Sequence, residues 1–243
     1  MMLYGLIGRP LKHSFSKKYF TEKFQLENIP DCRYENFELE TIEQLQTILK
    51  AHVDLRGFNV TIPYKKEVLR FLDFKNDVVE AVGACNCIKI ENGILHGYNT
   101  DVVGFKKSLQ PFLKPHHTKA LILGTGGSSG AVQYALQQLG INFKIVSRQK
   151  TAHTITYSDL DETFLKAHTV IINTTPVGMF PNIDAAPQLP YNFITDTHLL
   201  FDLIYNPAKT LFLQKGEAQG AAIANGHEML LLQAEESWRI WNS

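Results

Sequence analysis

A run of apolar residues, Ala120 to Leu123, breaks into a loop carrying Gly124, Gly126, Gly127 and Gly130, after which Ala131, Val132, Ala135, Leu136 and Leu139 recur at helical spacing. The pattern reads as strand, tight turn, helix. Glycines let a backbone turn sharply and leave no Cβ between its N–H groups and a phosphate, while the helix N-terminus adds partial positive charge. A dinucleotide pyrophosphate is therefore placed here. A strict G-x-G-x-x-G would put glycine at 129, where the chain has Ser129, so a plain glycine-rich turn stays open as an alternative.

Ile141 to Val146 forms a second β-rich segment, and at its end an NAD site would carry an acidic residue for the ribose hydroxyl. The chain instead has Ser147, Arg148, Gln149 and Lys150. A guanidinium at that place suits a 2′-phosphate, which favours NADP over NAD. The alternative is an ordinary solvated arginine at a strand end.

The 243 residues allow one large or two modest domains. Twenty-four basic residues balance twenty-four acidic ones, so no global field points to nucleic acid or an anionic membrane. Cys32, Cys85 and Cys87 lack a C-x-x-C pair, which argues against a disulfide framework or zinc site and for a reducing compartment. The histidines show no metal-ligand spacing, and His116 and His117 fall in a Pro-flanked polar loop where exposure is expected. Met1 to Pro10 has an apolar run too short for a secretory leader, and no apolar stretch is long enough to cross a bilayer. A cytoplasmic protein without metal, nucleic acid or membrane partners is expected.

Along the first half, Leu3 to Ile7 looks like a strand that delivers Ser14 and Ser16 just ahead of a helix containing Phe20 and Phe24. Either serine can be an N-cap; two at this spacing can also offer hydroxyl donors to a small carboxylate. Arg33 to Leu39 reads as a strand, Ile42 to Leu49 as an amphipathic helix and Leu55 to Ile62 as another strand, the alternation of an α/β domain. Pro63 is expected to open the next helix, with Lys65 in its first turn. A cation is disfavoured there by the dipole, which invites a role for Lys65 in donating or accepting a proton. A hairpin turns at Asn92 and Gly93, and its return strand leads through Asn99 and Thr100 to Asp101, a helix cap unless its neighbours give it another role.

In the second half, Thr169 to Ile172 is an apolar strand ending at Asn173, with Thr174 to Met179 as the strand-end loop where ligands of open parallel sheets sit. Leu199 to Ile204 is a further buried strand in which Asp202 is a surprising charge that needs a hydrogen-bonding partner. Tyr205 stands at its end, toward the cleft in this reading. Ala221 to Ala224 is a last strand, followed by Gly226 and a helix from His227 to about Trp241. Met229 and Gln233 share one face of it; core filling is the plain reading of Met229.

Taken together, S-F-S at 14 to 16, N-V-T-I-P-Y-K at 59 to 65, G-A-C-N-C at 83 to 87 and N-T-D at 99 to 101 resemble the shikimate dehydrogenase family. The likeness continues in G-T-G-G-S-S at 124 to 129, N-T-T-P-V-G-M at 173 to 179, D-L-I-Y-N-P at 202 to 207 and G-H-E-M-L-L-L-Q-A at 226 to 234. It spans nearly the whole chain in order. The resemblance implies that Ser14 and Ser16 hold a substrate carboxylate, that Thr61, Asn86, Asp101 and Gln233 bind ring hydroxyls with Tyr205 nearby, and that Lys65 and Asp101 form the catalytic pair. It further implies that Gly124, Gly126, Gly127 and Ser128 meet the pyrophosphate, Arg148 the 2′-phosphate, and Gly178, Met179, Gly226 and Met229 the surroundings of the nicotinamide, with Thr174 also binding the cofactor.

The chain departs from the family in Ser147 and Gln149, where Asn-Arg-Thr is common, in Cys87 for a threonine, and in Lys17 and Phe20 for a proline and a histidine. It is also short for the family, chiefly in the nucleotide half. The expected architecture is two α/β domains flanking a cleft, an N-terminal substrate-binding domain of residues 1–101 completed by 226–243, and a Rossmann-type NADP-binding domain of residues 102–225. The expected reaction is NADPH-dependent reversible reduction of 3-dehydroshikimate to shikimate, by a monomer or homodimer. Two other readings are an NAD-preferring quinate/shikimate dehydrogenase and a metabolite-sensing relative without chemistry.

Overall fold

In the computed structural model, which describes residues 1–12 and 14–243, the first strand, β1 (Met2–Gly8), sends alternate side chains to opposite faces. Leu3 and Ile7 join one buried cluster, Tyr4 and Leu6 another, as the two-residue period of a strand requires. The chain continues through α1 (Phe15–Leu26), β2 (Cys32–Glu38), α2 (Leu45–Ala51), β3 (Leu55–Val60), β4 (Phe74–Lys75), α3 (Asp77–Val82), β5 (Cys87–Glu91) and β6 (Ile94–Tyr98). These strands form a six-stranded sheet in the order β2-β1-β3-β5-β6-β4. β1 runs parallel to β2 and β3, and β5 antiparallel to β3 and β6. The hairpin between β5 and β6 turns at Asn92 and Gly93, both at positive φ (53° and 81°), as a two-residue primed turn demands.

Next come α4 (Thr100–Leu109), β7 (Lys119–Leu123), α5 (Gly127–Gln138), β8 (Asn142–Ser147), β9 (Thr154–Thr156), α6 (Glu162–Ala167), β10 (Val170–Asn173), β11 (Leu199–Asp202), α7 (Leu211–Glu217), β12 (Ala222–Ala224) and α8 (His227–Trp241). The second sheet has the order β12-β11-β10-β7-β8-β9, and every pair in it is parallel. Buried apolar runs such as Leu121 to Leu123 and Leu199 to Phe201 are what a parallel sheet covered on both faces selects. Numbered from β7, the order is 3-2-1-4-5-6, that of a Rossmann dinucleotide fold, with its switch point between β7 and β10.

The chain divides into two compact units, Met1–Thr100 with Ala234–Ser243, and Asp101–Gln233. It passes from one to the other at the start of α4 and within α8. The last turns of α8 complete the first unit. Trp241 stacks on Tyr4 with ring centroids 4.9 Å apart, and its indole N–H donates to the Ile88 carbonyl at 2.9 Å. Among the described residues, no helix is long and apolar enough to cross a membrane.

Several local expectations are corrected. The segment 62–66 is a series of turns, and a 3-10 helix begins only at Glu67, so Pro63 opens no helix and Lys65 does not sit in a first helical turn. The Lys65 carbonyl accepts from the backbone N–H of Cys85 at 2.8 Å, a tertiary bond that takes the place of a helical one. The helix read from Ile42 starts as a 3-10 turn, Ile42–Gln44, before α2. Strands read to Ile62 and Ile204 end at Val60 and Asp202. His117 is buried, not exposed. Its Nδ1 accepts from Lys114 N at 3.0 Å and its Nε2 meets the Thr197 carbonyl at 3.1 Å.

Candidate active site

In the first unit the expected substrate residues cluster at the C-terminal ends of β1 and β3. Ser14 is the N-cap of α1, with an extended backbone and no capping bond from its side chain. Its Oγ is shielded from solvent and has no hydrogen-bond partner among the described residues. Ser16 lies inside the helix, buried, near the Tyr34 hydroxyl. The Tyr34 hydroxyl donates to Asn59 Oδ1 at 2.9 Å, and burial pushes its pKa well above the usual tyrosine value, so it stays a donor. Asn59 Nδ2 in turn donates to the Asn86 carbonyl at 3.1 Å and to Ser237 Oγ at 2.8 Å.

This buried network also orients Asn86. The backbone N–H of Thr100 donates to Asn86 Oδ1 at 2.6 Å, which fixes the amide so that Nδ2 donates to Thr100 Oγ1 at 3.0 Å. Thr61 follows β3, half-buried, with its N–H on the Ile7 carbonyl at 2.9 Å. Lys65 follows in the turns after it, half-buried. The sequence shows no trace of the Tyr34, Asn59 and Ser237 connections, because they join residues far apart in the chain.

Asp101, Met229 and Gln233 all belong to the second unit. Asp101 is buried in the first turn of α4 and is not its cap. About one helical turn on, a side chain at Gly104 would lie 2.7 Å from the Met229 carbonyl and 3.1 Å from Gln233 N. Only glycine lets α4 and α8 approach this closely. Asp101 and Gln233, expected to bind the same substrate, therefore flank one helix crossing. Met229 is buried, and Gln233 donates to the Leu230 carbonyl at 2.9 Å. Tyr205 stands exposed in the loop that follows β11.

The residues expected to meet the nucleotide lie at the C-terminal ends of the parallel strands, where ligands of such sheets bind. Gly124 follows β7 with φ 107°, a conformation open to glycine and closed to a β-branched residue. Gly126 caps α5, and a Cβ on Gly126 or Gly127 would meet nothing within 4 Å. That open surface, beside Ser128 and the helix N-terminus, fits a pyrophosphate. Ser129 fills the place of the third glycine, buried, its hydroxyl accepting from Gln133 at 3.2 Å. Arg148 is exposed directly after β8. Thr174 follows β10, with both its N–H and its hydroxyl on the Leu123 carbonyl at 2.9 and 2.7 Å. Gly178 is buried at φ 95° and Met179 beside it is exposed. Gly226 is packed against the Leu203 backbone.

Residues 6–88 match the family model of the shikimate dehydrogenase substrate binding domain. A shikimate dehydrogenase (NADP(+)) of Caldicellulosiruptor bescii is 36% identical over 253 residues, covering 97% of this chain and 88% of its own. The chain belongs to the shikimate dehydrogenase family. Among solved structures of similar fold, the shikimate 5-dehydrogenase of Thermus thermophilus in complex with NADP(H) and shikimate has a TM-score of 0.88 at 28% identity, covering 99% of this chain and 93% of that one. The ligand-free 5-ketofructose reductase of a Gluconobacter species has 0.85 and 28%, covering 99% and 92%. The same fold thus carries a reductase named for a different ketone, and the polar groups around the substrate must decide between them. Of this chain's departures from the family pattern, Ser147 accepts from Gln149 N at 3.4 Å and closes the turn that presents Arg148. Cys87 is fully buried, its thiol pushed above its ordinary pKa by burial, and serves as core.

Proposed function

We propose that the protein catalyses the reversible, NADPH-dependent reduction of 3-dehydroshikimate to shikimate. The observation that carries this reading is the shielded, unpartnered hydroxyl of Ser14 at the start of α1, inside the segment that matches a substrate-binding domain. A buried donor without a partner implies a ligand group to receive it, and a carboxylate beside a helix N-terminus is well matched to it. The ligands named for the Thermus thermophilus relative, NADP(H) and shikimate, agree in class.

In this reading Ser14 and Ser16 hold the substrate carboxylate, and Thr61, Asn86, Asp101 and Gln233 hold the ring hydroxyls, with Tyr205 beside them. Residues 1–101 and 226–243 supply substrate contacts and chemistry, and residues 102–225 bind the nucleotide. Gly124, Gly126, Gly127 and Ser128 hold the pyrophosphate at the N-terminus of α5, and Arg148 holds the 2′-phosphate. Thr174, Gly178, Met179, Gly226 and Met229 surround the nicotinamide. NADPH, when bound, supplies the hydride that reaches the ketone carbon. Lys65 carries a proton on Nζ and gives it to the ketone oxygen; in the reverse direction it takes that proton back. Asp101 orients Lys65 for the transfer. The protein works in the cytoplasm as a monomer or homodimer.

General acid–base assistance of this kind is worth about 10² to 10⁴ in rate. Lys65→Ala is expected to lose that factor in kcat, while NADPH affinity and thermal stability stay at wild-type values. Measured turnover near wild type in this variant would refute the assignment.

A further inference from the structure

Asp202, the last residue of β11, is fully buried within a parallel sheet, where an apolar residue is the rule. A carboxylate there is costly unless donors surround it. Its Oδ1 accepts from Asn173 Nδ2 and from the backbone N–H of Ile204, both at 3.0 Å, and its Oδ2 accepts from Thr210 Oγ1 at 2.6 Å. Asn173, its register partner at the end of β10, is equally buried. Asn173 Oδ1 accepts from the N–H of Thr175 at 3.0 Å and from its hydroxyl at 2.6 Å. Backbone N–H groups can only donate, so the directions are fixed: the carboxylate holds the amide nitrogen, and the amide oxygen holds Thr175.

Thr175 in turn reaches the glycine turn. A Cβ on Gly124 would lie 2.8 Å from the Thr175 methyl, and the Thr175 hydroxyl accepts from Val177 N at 3.3 Å. In the sequence Asp202 stands out only as a charge in need of a partner. The bonds around it make a directed chain to Thr175, whose methyl faces the turn expected to meet the pyrophosphate.

We propose that Asp202 is a positioning residue for dinucleotide binding, which sets, through Asn173 and Thr175, the strand-end loop that buttresses the turn at Gly124. The proposal rests on the reading of residues 102–225 as the nucleotide-binding part. Thr175→Val keeps the shape and removes the hydroxyl; Thr175→Ser keeps the hydroxyl; Asp202→Asn removes the charge that directs the amide.

The test is direct NADPH binding, followed by nicotinamide fluorescence, alongside steady-state kinetics. Thr175→Val and Asp202→Asn are each expected to weaken NADPH about tenfold, as loss of one well-made hydrogen bond does. Thr175→Ser, which keeps the hydroxyl but lacks the methyl nearest Gly124, is expected to weaken NADPH less than Thr175→Val does. For Thr175→Val the loss is expected in the NADPH KM, with the shikimate KM within about twofold of wild type. The double variant is expected to lose little more than either single one, because both cut the same chain. Wild-type affinity in Thr175→Val would overturn the proposal, as would fully additive losses in the double variant. If Asp202→Asn does not fold, the Thr175 pair still decides. Failure of the wild-type protein to bind NADPH would instead refute the functional reading on which the proposal rests.

Discussion

Replacing Arg148 with alanine tests the cofactor assignment where the structure makes the outcome simplest to read. Arg148 is exposed immediately after β8, and no carboxylate lies within ion-pair distance of it among the described residues. Its electrostatic neighbour is Tyr157, whose hydroxyl is pushed up by burial and pulled back down by the guanidinium. Removing the side chain therefore breaks no ion pair in the free protein, and its effect falls on a bound phosphate. A charge-assisted hydrogen bond contributes about 1.5–3 kcal/mol, and solvent exposure places this one at the lower end. The NADP⁺ dissociation constant is expected to rise about 10- to 30-fold, the factor that about 1.5–2 kcal/mol gives, while that for NAD⁺ changes by less than about twofold. The contrast is expected to shrink at high salt, where exposed charges are screened. Isothermal titration of both nucleotides into both proteins at two salt concentrations measures this. Equal weakening of NADP⁺ and NAD⁺, or no change in either, would refute the reasoning.

Gly226→Ala is expected to destabilise the protein strongly, because the added Cβ would lie 2.0 Å from the Leu203 carbonyl oxygen and 2.6 Å from its carbon; backbone must move at a cost of at least about 1–3 kcal/mol, which urea unfolding reads directly. His117 and His198 are both pushed down in pKa by burial, and in each the Nδ1 accepts a backbone N–H while Nε2 faces a carbonyl. Their contribution to stability is present above the unfolded histidine pKa of about 6.5 and lost as pH falls through the depressed folded values, so unfolding free energies measured from pH 7 to 5 are expected to fall less in His117→Gln than in wild type. Asp202 acts with the opposite sign. Burial pushes its carboxyl up to about 6, so its contribution is present below the unfolded value and lost as pH rises through about 6; the wild-type minus Asp202→Asn difference in stability is expected to decline between about pH 4 and 6, and a flat difference would contradict the burial argument.

Features set by a few neighbouring residues were legible in the sequence. The glycine turn after β7, the Asn92-Gly93 hairpin, and the span of α8 all follow from local chemistry, and the structure has them where the sequence puts them. Features decided by distant partners were not. Lys65 fails to enter a helix because Cys85 N takes its carbonyl. His117 is buried because Thr197, far along the chain, supplies its acceptor. The orientation of Asn86 depends on Thr100, and its carbonyl on Asn59, itself held by Tyr34 and Ser237. A sequence shows that Asp202 needs partners; only the fold shows that they lead to Gly124.

Every role assigned above depends on the reaction itself, which absorbance at the reduced-nicotinamide band reads after purified protein is mixed with shikimate and NADP⁺, with quinate and NAD⁺ in parallel. The band is expected to grow with shikimate and NADP⁺, and far more slowly in every other combination. Equal or faster growth with quinate or NAD⁺ would contradict the substrate and cofactor assigned here, and no growth with any pair would contradict the assignment of Lys65 and Asp101 to catalysis.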